Sequence, residues 1–136
     1  MNIPLSQAYI IVVDDDSTSS LVTLDLLRLA GSGRCYHRHT VTQAMTFAEK
    51  LPHVDLFLVD LNMPQQGGYE LLAQVRGHEM LETCKVVALT ASTQTATVER
   101  AKAFGFNGFI GKPLRVDEFA HQIQQILNGE EVWSWR

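Results

Sequence analysis

The chain has 136 residues, 46% of them apolar and 19% charged, with a net charge of −4. That length suits one domain with a proper core, and the apolar fraction excludes a disordered chain. No basic face is evident for a phosphate backbone, no apolar run reaches the length of a membrane span, and Met1-Asn2-Ile3-Pro4 lacks the regions of a secretion leader. The expectation is a cytoplasmic protein with no direct nucleic-acid or membrane partner.

Strand and helix signals alternate from end to end. The apolar run Tyr9–Val13 predicts a first strand that delivers Asp14, Asp15 and Asp16. Ser17-Thr18-Ser19-Ser20 is rich in N-cap residues and opens a helix expected to turn Leu21, Leu24, Leu26 and Leu27 inward before Gly31–Gly33. Cys35–His39 predicts a strand that is polar for its class, which suits an edge. Thr42–Leu51 predicts a helix ended by Pro52, and Leu56–Val59 a central strand that delivers Asp60. Pro64 and Gly67-Gly68 break the chain before a helix over Tyr69–Gly77. Val86–Leu89 predicts a strand that delivers Thr90, followed by a helix over Thr95–Phe104. The short run Phe109-Ile110-Gly111 delivers Lys112, and Val116–Asn128 predicts a last helix with Val116, Phe119, Ile123, Ile126 and Leu127 inward. Five such units with short loops imply an α/β fold, a doubly wound five-stranded parallel sheet with five helices.

Ligand sites in open α/β sheets lie outside the carboxyl ends of the strands. Asp14, Asp15, Asp60, Thr90 and Lys112 all stand at such ends, so they are expected to form one site. Three carboxylates at one sheet end repel each other, and a divalent oxygen-seeking cation removes the problem. Mg²⁺ suits a site of carboxylates, water and phosphate oxygens. A carboxylate beside a metal and an ammonium is a competent nucleophile toward phosphorus. Lys112 can stabilise the equatorial oxygens and Thr90 can donate its hydroxyl to a new phosphoryl group. Singly, each feature reads as a solvated loop acid or an N-cap. Jointly, Asp60 stands forty-five residues after Asp15, Thr90 thirty later and Lys112 twenty-two after that, each at a strand end.

These segments resemble the receiver domain of two-component response regulators, of the chemotaxis-regulator type, over about Tyr9 to Leu127. The matches are Ile-Val-Val-Asp-Asp-Asp at 11–16, Leu-Val-Asp-Leu-Asn-Met-Pro at 58–64, Ala-Leu-Thr-Ala at 88–91 and Gly-Phe-Ile-Gly-Lys-Pro at 108–113. The resemblance implies a flavodoxin-like sheet of strand order 2-1-3-4-5, with residues 1–129 as the receiver domain and 130–136 as a C-terminal tail. It also implies that Asp60 accepts the phosphoryl group. Mg²⁺ would be held by Asp15 directly, Asp14 through water, Asp60 and the backbone carbonyl of Asn62. Thr90 matches the switch hydroxyl, Lys112 the invariant lysine and Phe109 the aromatic switch position, where a plain core aromatic is an equal reading. The implied partners are a histidine kinase or histidine phosphotransfer protein and a downstream target or fused output domain. Contacts would change on the face made by the fourth helix, fifth strand and fifth helix, through which a homodimer is a family possibility. The catalysis would be self-modifying, without a turnover substrate. Members often carry Asp-Gly where this chain has Gly67-Gly68, which bears on loop rigidity and not on activity.

A second reading is a haloacid-dehalogenase-like phosphatase, since Asp14-Asp15-Asp16 satisfies its Asp-x-Asp motif, with Asp14 as nucleophile. It needs a further acidic strand end after Lys112 and leaves Asp60 unexplained. An inactive receiver serving as a binding module is disfavoured because every chemical residue is present. Asp16 is expected to cap the first helix or face solvent. Cys35, His37 and His39 share one strand face, but residues two apart are about 6.5 Å distant, awkward for zinc. Cys35 and Cys84 form no CxxC and read as free buried thiols. Trp133 and Trp135 lie in the tail, which is expected to pack on the domain at the sheet end opposite the acids. Tryptophan fluorescence would then report poorly on Mg²⁺ binding.

Overall fold

Four consecutive β-branched residues, Ile10-Ile11-Val12-Val13, form the first strand in the computed structural model, which describes residues 3–64 and 66–135. In chain order the elements are β1 Ile10–Val13, α1 Ser17–Leu29, β2 Cys35–Arg38, α2 Val41–Ala48, β3 Leu56–Val59 and α3 Gly68–Arg76. They continue with β4 Lys85–Thr90, α4 Thr95–Phe104, β5 Gly108–Gly111, α5 Val116–Leu127 and β6 Val132–Ser134. All strands are parallel, in the order β2-β1-β3-β4-β5-β6. The expected order is present, extended by a sixth strand, and the polar β2 lies at the edge as its composition predicts.

Side chains alternate across the sheet with the two-residue period of a strand. Ile11, Val13, Phe57, Val59, Val86, Ala88 and Phe109 pack under α2, α3 and α4. Ile10, Val12, Leu56, Leu58, Val87, Leu89 and Ile110 pack under α1 and α5. Both faces being covered, β1 and β3 are buried along their whole length. Cys35 and Cys84 are free and buried, and burial pushes the Cys84 thiol up to about 12.

Three sequence expectations need correction. Leu21 is 56% exposed, because the buried stripe of α1 runs through Ser20, Thr23, Leu26 and Leu27. Ser20 and Thr23 can be buried because their hydroxyls donate back to the carbonyls of Ser17 and Ser19, at 3.0 and 3.1 Å. Val116 is 72% exposed; the inward stripe of α5 begins one turn later, at Phe119. The largest correction concerns the tail. α5 carries the chain away from the acids, but β6 then runs back parallel to β5, pairing Gly108 with Val132, Phe109 with Trp133 and Ile110 with Ser134. Trp135 thus comes to the acidic end of the sheet, not the opposite one.

Candidate functional site

The register builds the site. Val13 of β1 is level with Val59 of β3, so Asp14 and Asp60 leave adjacent strands side by side. Thr90, the last residue of β4, pairs with Gly111, the residue before Lys112. Main-chain bonds tie these exits together: Asp60 N–H donates to the Val13 carbonyl at 3.1 Å and Lys112 N–H to the Thr90 carbonyl at 2.9 Å.

Lys112 is the hub. Its ammonium donates to Asp14 Oδ2 at 2.9 Å and to Ser19 Oγ at 2.6 Å, and stands 3.5 Å from Asp60 Oδ2. Asp14 is buried and accepts at Oδ1 from the Asp16 N–H at 2.9 Å. Asp60 Oδ1 accepts from the Asn62 N–H at 3.0 Å, while the Asn62 amide donates to Thr90 Oγ1 at 3.3 Å. Asn62 therefore links the acid of β3 to the hydroxyl of β4. Thr90 is buried, and its oxygen also accepts from the Ser92 N–H at 3.1 Å. Burial pushes the Asp60 carboxyl above its ordinary value. The Asn62 bond and Lys112 oppose that rise, and the Asp14 charge adds to it.

The structure thus brings Asp14, Asp60, Asn62, Thr90 and Lys112 together. Asp15 is exposed and lines an open cleft of about 410 Å³ with His39, Thr40 and Met63. Among the described residues, no three His, Cys, Asp or Glu side chains converge as a metal-binding set. The expected donor set is mixed, with two or three carboxylates, a main-chain carbonyl and waters, and its oxygens suit a hard cation. The surplus negative charge of buried Asp14 and half-buried Asp60, only partly offset by Lys112, is what such a cation relieves.

Asp16 caps α1, its Oδ1 accepting from the Thr18 and Ser19 N–H groups at 2.9 and 3.1 Å. That use removes it from an Asp-x-Asp phosphatase pair, and the strand after Lys112 ends on Ser134-Trp135 without an acid. Phe109 is fully buried among the side chains under α4. Gly67 and Gly68 are there for space: a Cβ on Gly67 would collide with the Leu61 carbonyl, and one on Gly68 would stand 2.8 Å from Leu61 Cδ2. The loop after Asp60 therefore follows a course that has no room for the acid common at this point.

Three contributors escape the sequence reading. Ser19 holds the Lys112 ammonium, although the serine cluster signals only a helix start. The Asn62 side chain reaches Thr90, where only its carbonyl was expected to act. His37 Nε2 lies 2.8 Å from the Asp14 carbonyl, which can only accept, so that nitrogen carries the proton and donates. The polarity of β2 signals an edge, and nothing in it says that an imidazole reaches across to β1.

Residues 10–124 match the response regulator receiver domain. The chain belongs to that family. Among curated relatives of this receiver domain, the chemotaxis protein CheY-3 of Vibrio cholerae is 29% identical over 118 residues, 87% of this chain and 90% of that protein. The polar-differentiation response regulator DivK of Brucella ovis is 27% identical, over 87% of this chain and 94% of that one. Among solved structures, the fold is similar to CheY4 of Vibrio cholerae, with a TM-score of 0.79 at 24% identity over 88% of this chain and 98% of that one. It is also similar to a CheY-like receiver domain protein from Methanospirillum hungatei, with a TM-score of 0.77 at 21% identity over 90% and 94%. Receiver domains of this family are typically signalling switches rather than turnover enzymes, generally bind Mg²⁺ and work with kinase or phosphotransfer partners and output targets. No helix among the described residues is long and apolar enough to cross a membrane.

Proposed function

We propose that this receiver domain takes a phosphoryl group onto Asp60 from a phosphohistidine of a histidine kinase or histidine phosphotransfer protein. It then alters its contacts with a downstream protein or fused output domain, in the cytoplasm. The observation that carries the proposal is the Asp60 carboxylate at the β3 exit, 3.5 Å from the Lys112 ammonium and joined through Asn62 to the Thr90 hydroxyl.

An Asp60 oxygen attacks phosphorus, the new O–P bond forms as the N–P bond breaks, and the departing imidazole takes up a proton. Asp15, Asp14 through water, Asp60 and the Asn62 carbonyl would hold Mg²⁺, which when bound offsets the negative charge between nucleophile and phosphoryl oxygens. The Lys112 ammonium is already aimed at the acids, so it can pair with a phosphoryl oxygen with little reorganisation. Thr90 can give up its bonds from Asn62 and Ser92 and donate to the phosphoryl group. Space vacated at Thr90 then favours a repacking of Phe109, a population shift biased by new charge-assisted bonds. That repacking alters the face of α4, β5 and α5, through which two copies could also pair.

The test is intact-mass analysis after incubation with a small acyl phosphate and Mg²⁺. One Mg²⁺-dependent phosphoryl adduct on the wild type and none on Asp60→Asn is the expected result. No wild-type adduct, or an adduct that persists in the variant, refutes the assignment of Asp60.

A further inference from the structure

The edge of β5 that faces away from β4 is shaped for a strand, and β6 lies along it. β5 has glycine at both ends, and a Cβ on Gly108 would stand 2.7 Å from the Val132 carbonyl oxygen. One on Gly111 would stand 2.7 Å from Thr93 Cγ2 and 3.3 Å from Trp135 Cα. The missing side chains let the main chain of 132–135 come against β5 itself. On the α4 side the Lys102 ammonium sits 5.1 Å from the Trp133 ring and 5.7 Å from the Trp135 ring. The Trp133 indole N–H is tied within the segment to Glu131, at 2.9 Å. Both rings pack on the cluster that contains Phe109.

The same segment touches the switch. Ser92 N–H donates to Thr90 Oγ1, and the methyl of the next residue, Thr93, shares with the Trp135 main chain the space that a Gly111 side chain would take. A Thr90 that swings toward a phosphoryl group releases Ser92, and Thr93 is then free to move against Trp135. Thr93 and Trp135 both line a cavity of about 240 Å³, with Lys112, Glu118 and Gln122, which leaves room for the movement.

We infer that the β5 edge between α4 and α5 is a slot for a partner's extended segment, and that residues 130–135 are its resident occupant, displaced when Thr90 rearranges. Displacement rests on the phosphoacceptor reading above; the slot does not. What fits is read from what is seated there: a parallel strand that adds main-chain bonds to β5, aromatic side chains at alternate positions under Lys102, and acidic residues ahead of them. β6 pairs over only three residues and follows a turn in which Gly129 has φ +93°, so little structure must break for it to leave. Its tether gives it an effective concentration on the order of millimolar, enough to hold a competing segment off in the resting state.

Two measurements on the full chain test this. A labelled peptide with the sequence of residues 130–135 is titrated against the resting wild type and against Trp133→Ser/Trp135→Ser, whose own segment has lost its anchors. Binding at least tenfold tighter to the variant supports the slot; equal binding, or none to a variant that is folded by circular dichroism, overturns it. Hydrogen exchange is then followed in the wild type treated with Mg²⁺ and acyl phosphate, with the adduct confirmed by mass. Exchange at least tenfold faster at 132–134, with β1 and β3 unchanged, supports displacement; an adduct with unchanged exchange at 132–134 overturns it. Absence of an adduct refutes the Asp60 reading and displacement with it, while the peptide titration still decides the slot.

Discussion

At one edge of the sheet, β2 is held between α1 and α2 and sends the imidazole of His37 onto the Asp14 carbonyl at 2.8 Å. At the other, β6 pairs for three residues with a strand that has glycine at both ends, and lays two indoles beside Lys102. Both edges reach the same end of the sheet by different means. β2 acts through a directional hydrogen bond, which fixes one geometry. β6 acts through a short ladder of main-chain bonds over three residues and through ring contacts, which weaken gradually as packing shifts. The acid half of the site is thus set in place before any ligand arrives. The half that contains Thr90 and Phe109 borders the three-residue pairing of β6 and its two indoles.

The contrast between centre and edge is open to direct attack by truncation. Phe57 in β3 is fully buried, and Phe57→Ala should cost about 3–5 kcal/mol, a large share of the stability of a small domain. Trp133→Ala removes a larger ring that is only half-buried and should cost about 1–2 kcal/mol. Urea unfolding measures both. Equal losses would mean that β6 is as integral to the fold as β3, and the division drawn between centre and edge would fall.

Much of this contrast was legible in the residues before any coordinates. Continuous apolar runs located β1, β3 and β4, and the polarity of Cys35–His39 placed β2 at an edge, because burial on two faces or one leaves a plain mark on composition. The strand-end chemistry followed from topology: Asp14, Asp60, Thr90 and Lys112 had to converge once the strands were parallel. What stayed hidden depends on side-chain direction or on a partner that periodicity does not name. Leu21 looks inward by spacing, yet Ser20 and Thr23 take the buried stripe because their hydroxyls are satisfied within the helix. Val132-Trp133-Ser134 is too short to read as a strand, and only the glycines of β5 explain how it docks. Ser19 and His37 are polar residues of common type whose roles come from distance alone.

A smaller effect tests the β2 side. His37→Leu removes the donor on the Asp14 carbonyl and should cost about 1 kcal/mol. Since that carbonyl belongs to the turn bearing Asp14 and Asp15, Mg²⁺ affinity read by calorimetry should fall several-fold, and His37→Gln, which keeps a donor, should restore part of it. A variant that lost stability but bound Mg²⁺ like the wild type would show that β2 braces the fold without fixing the acids.

The smallest expected effect has the opposite sign. Burial raises the native Asp60 carboxyl above 3.8, so the folded protein holds that proton more tightly than the unfolded chain does. Ionisation therefore costs stability. The cost is absent below 3.8, grows as pH rises toward the native value and is full above it. Asp60→Asn removes the charge and keeps the shape, so without metal at neutral pH it should melt higher than the wild type by a few degrees, about 2–4 °C. The gap should narrow as pH is lowered toward 3.8. Added Mg²⁺ should close or reverse it, because a cation that binds only the folded wild type stabilises it by mass action. A variant that melts lower without metal would mean that the bonds from Asn62 and the pairing with Lys112 outweigh burial. The acid half of the site would then be a settled ion-pair network at rest, rather than a charged cluster that lacks its cation.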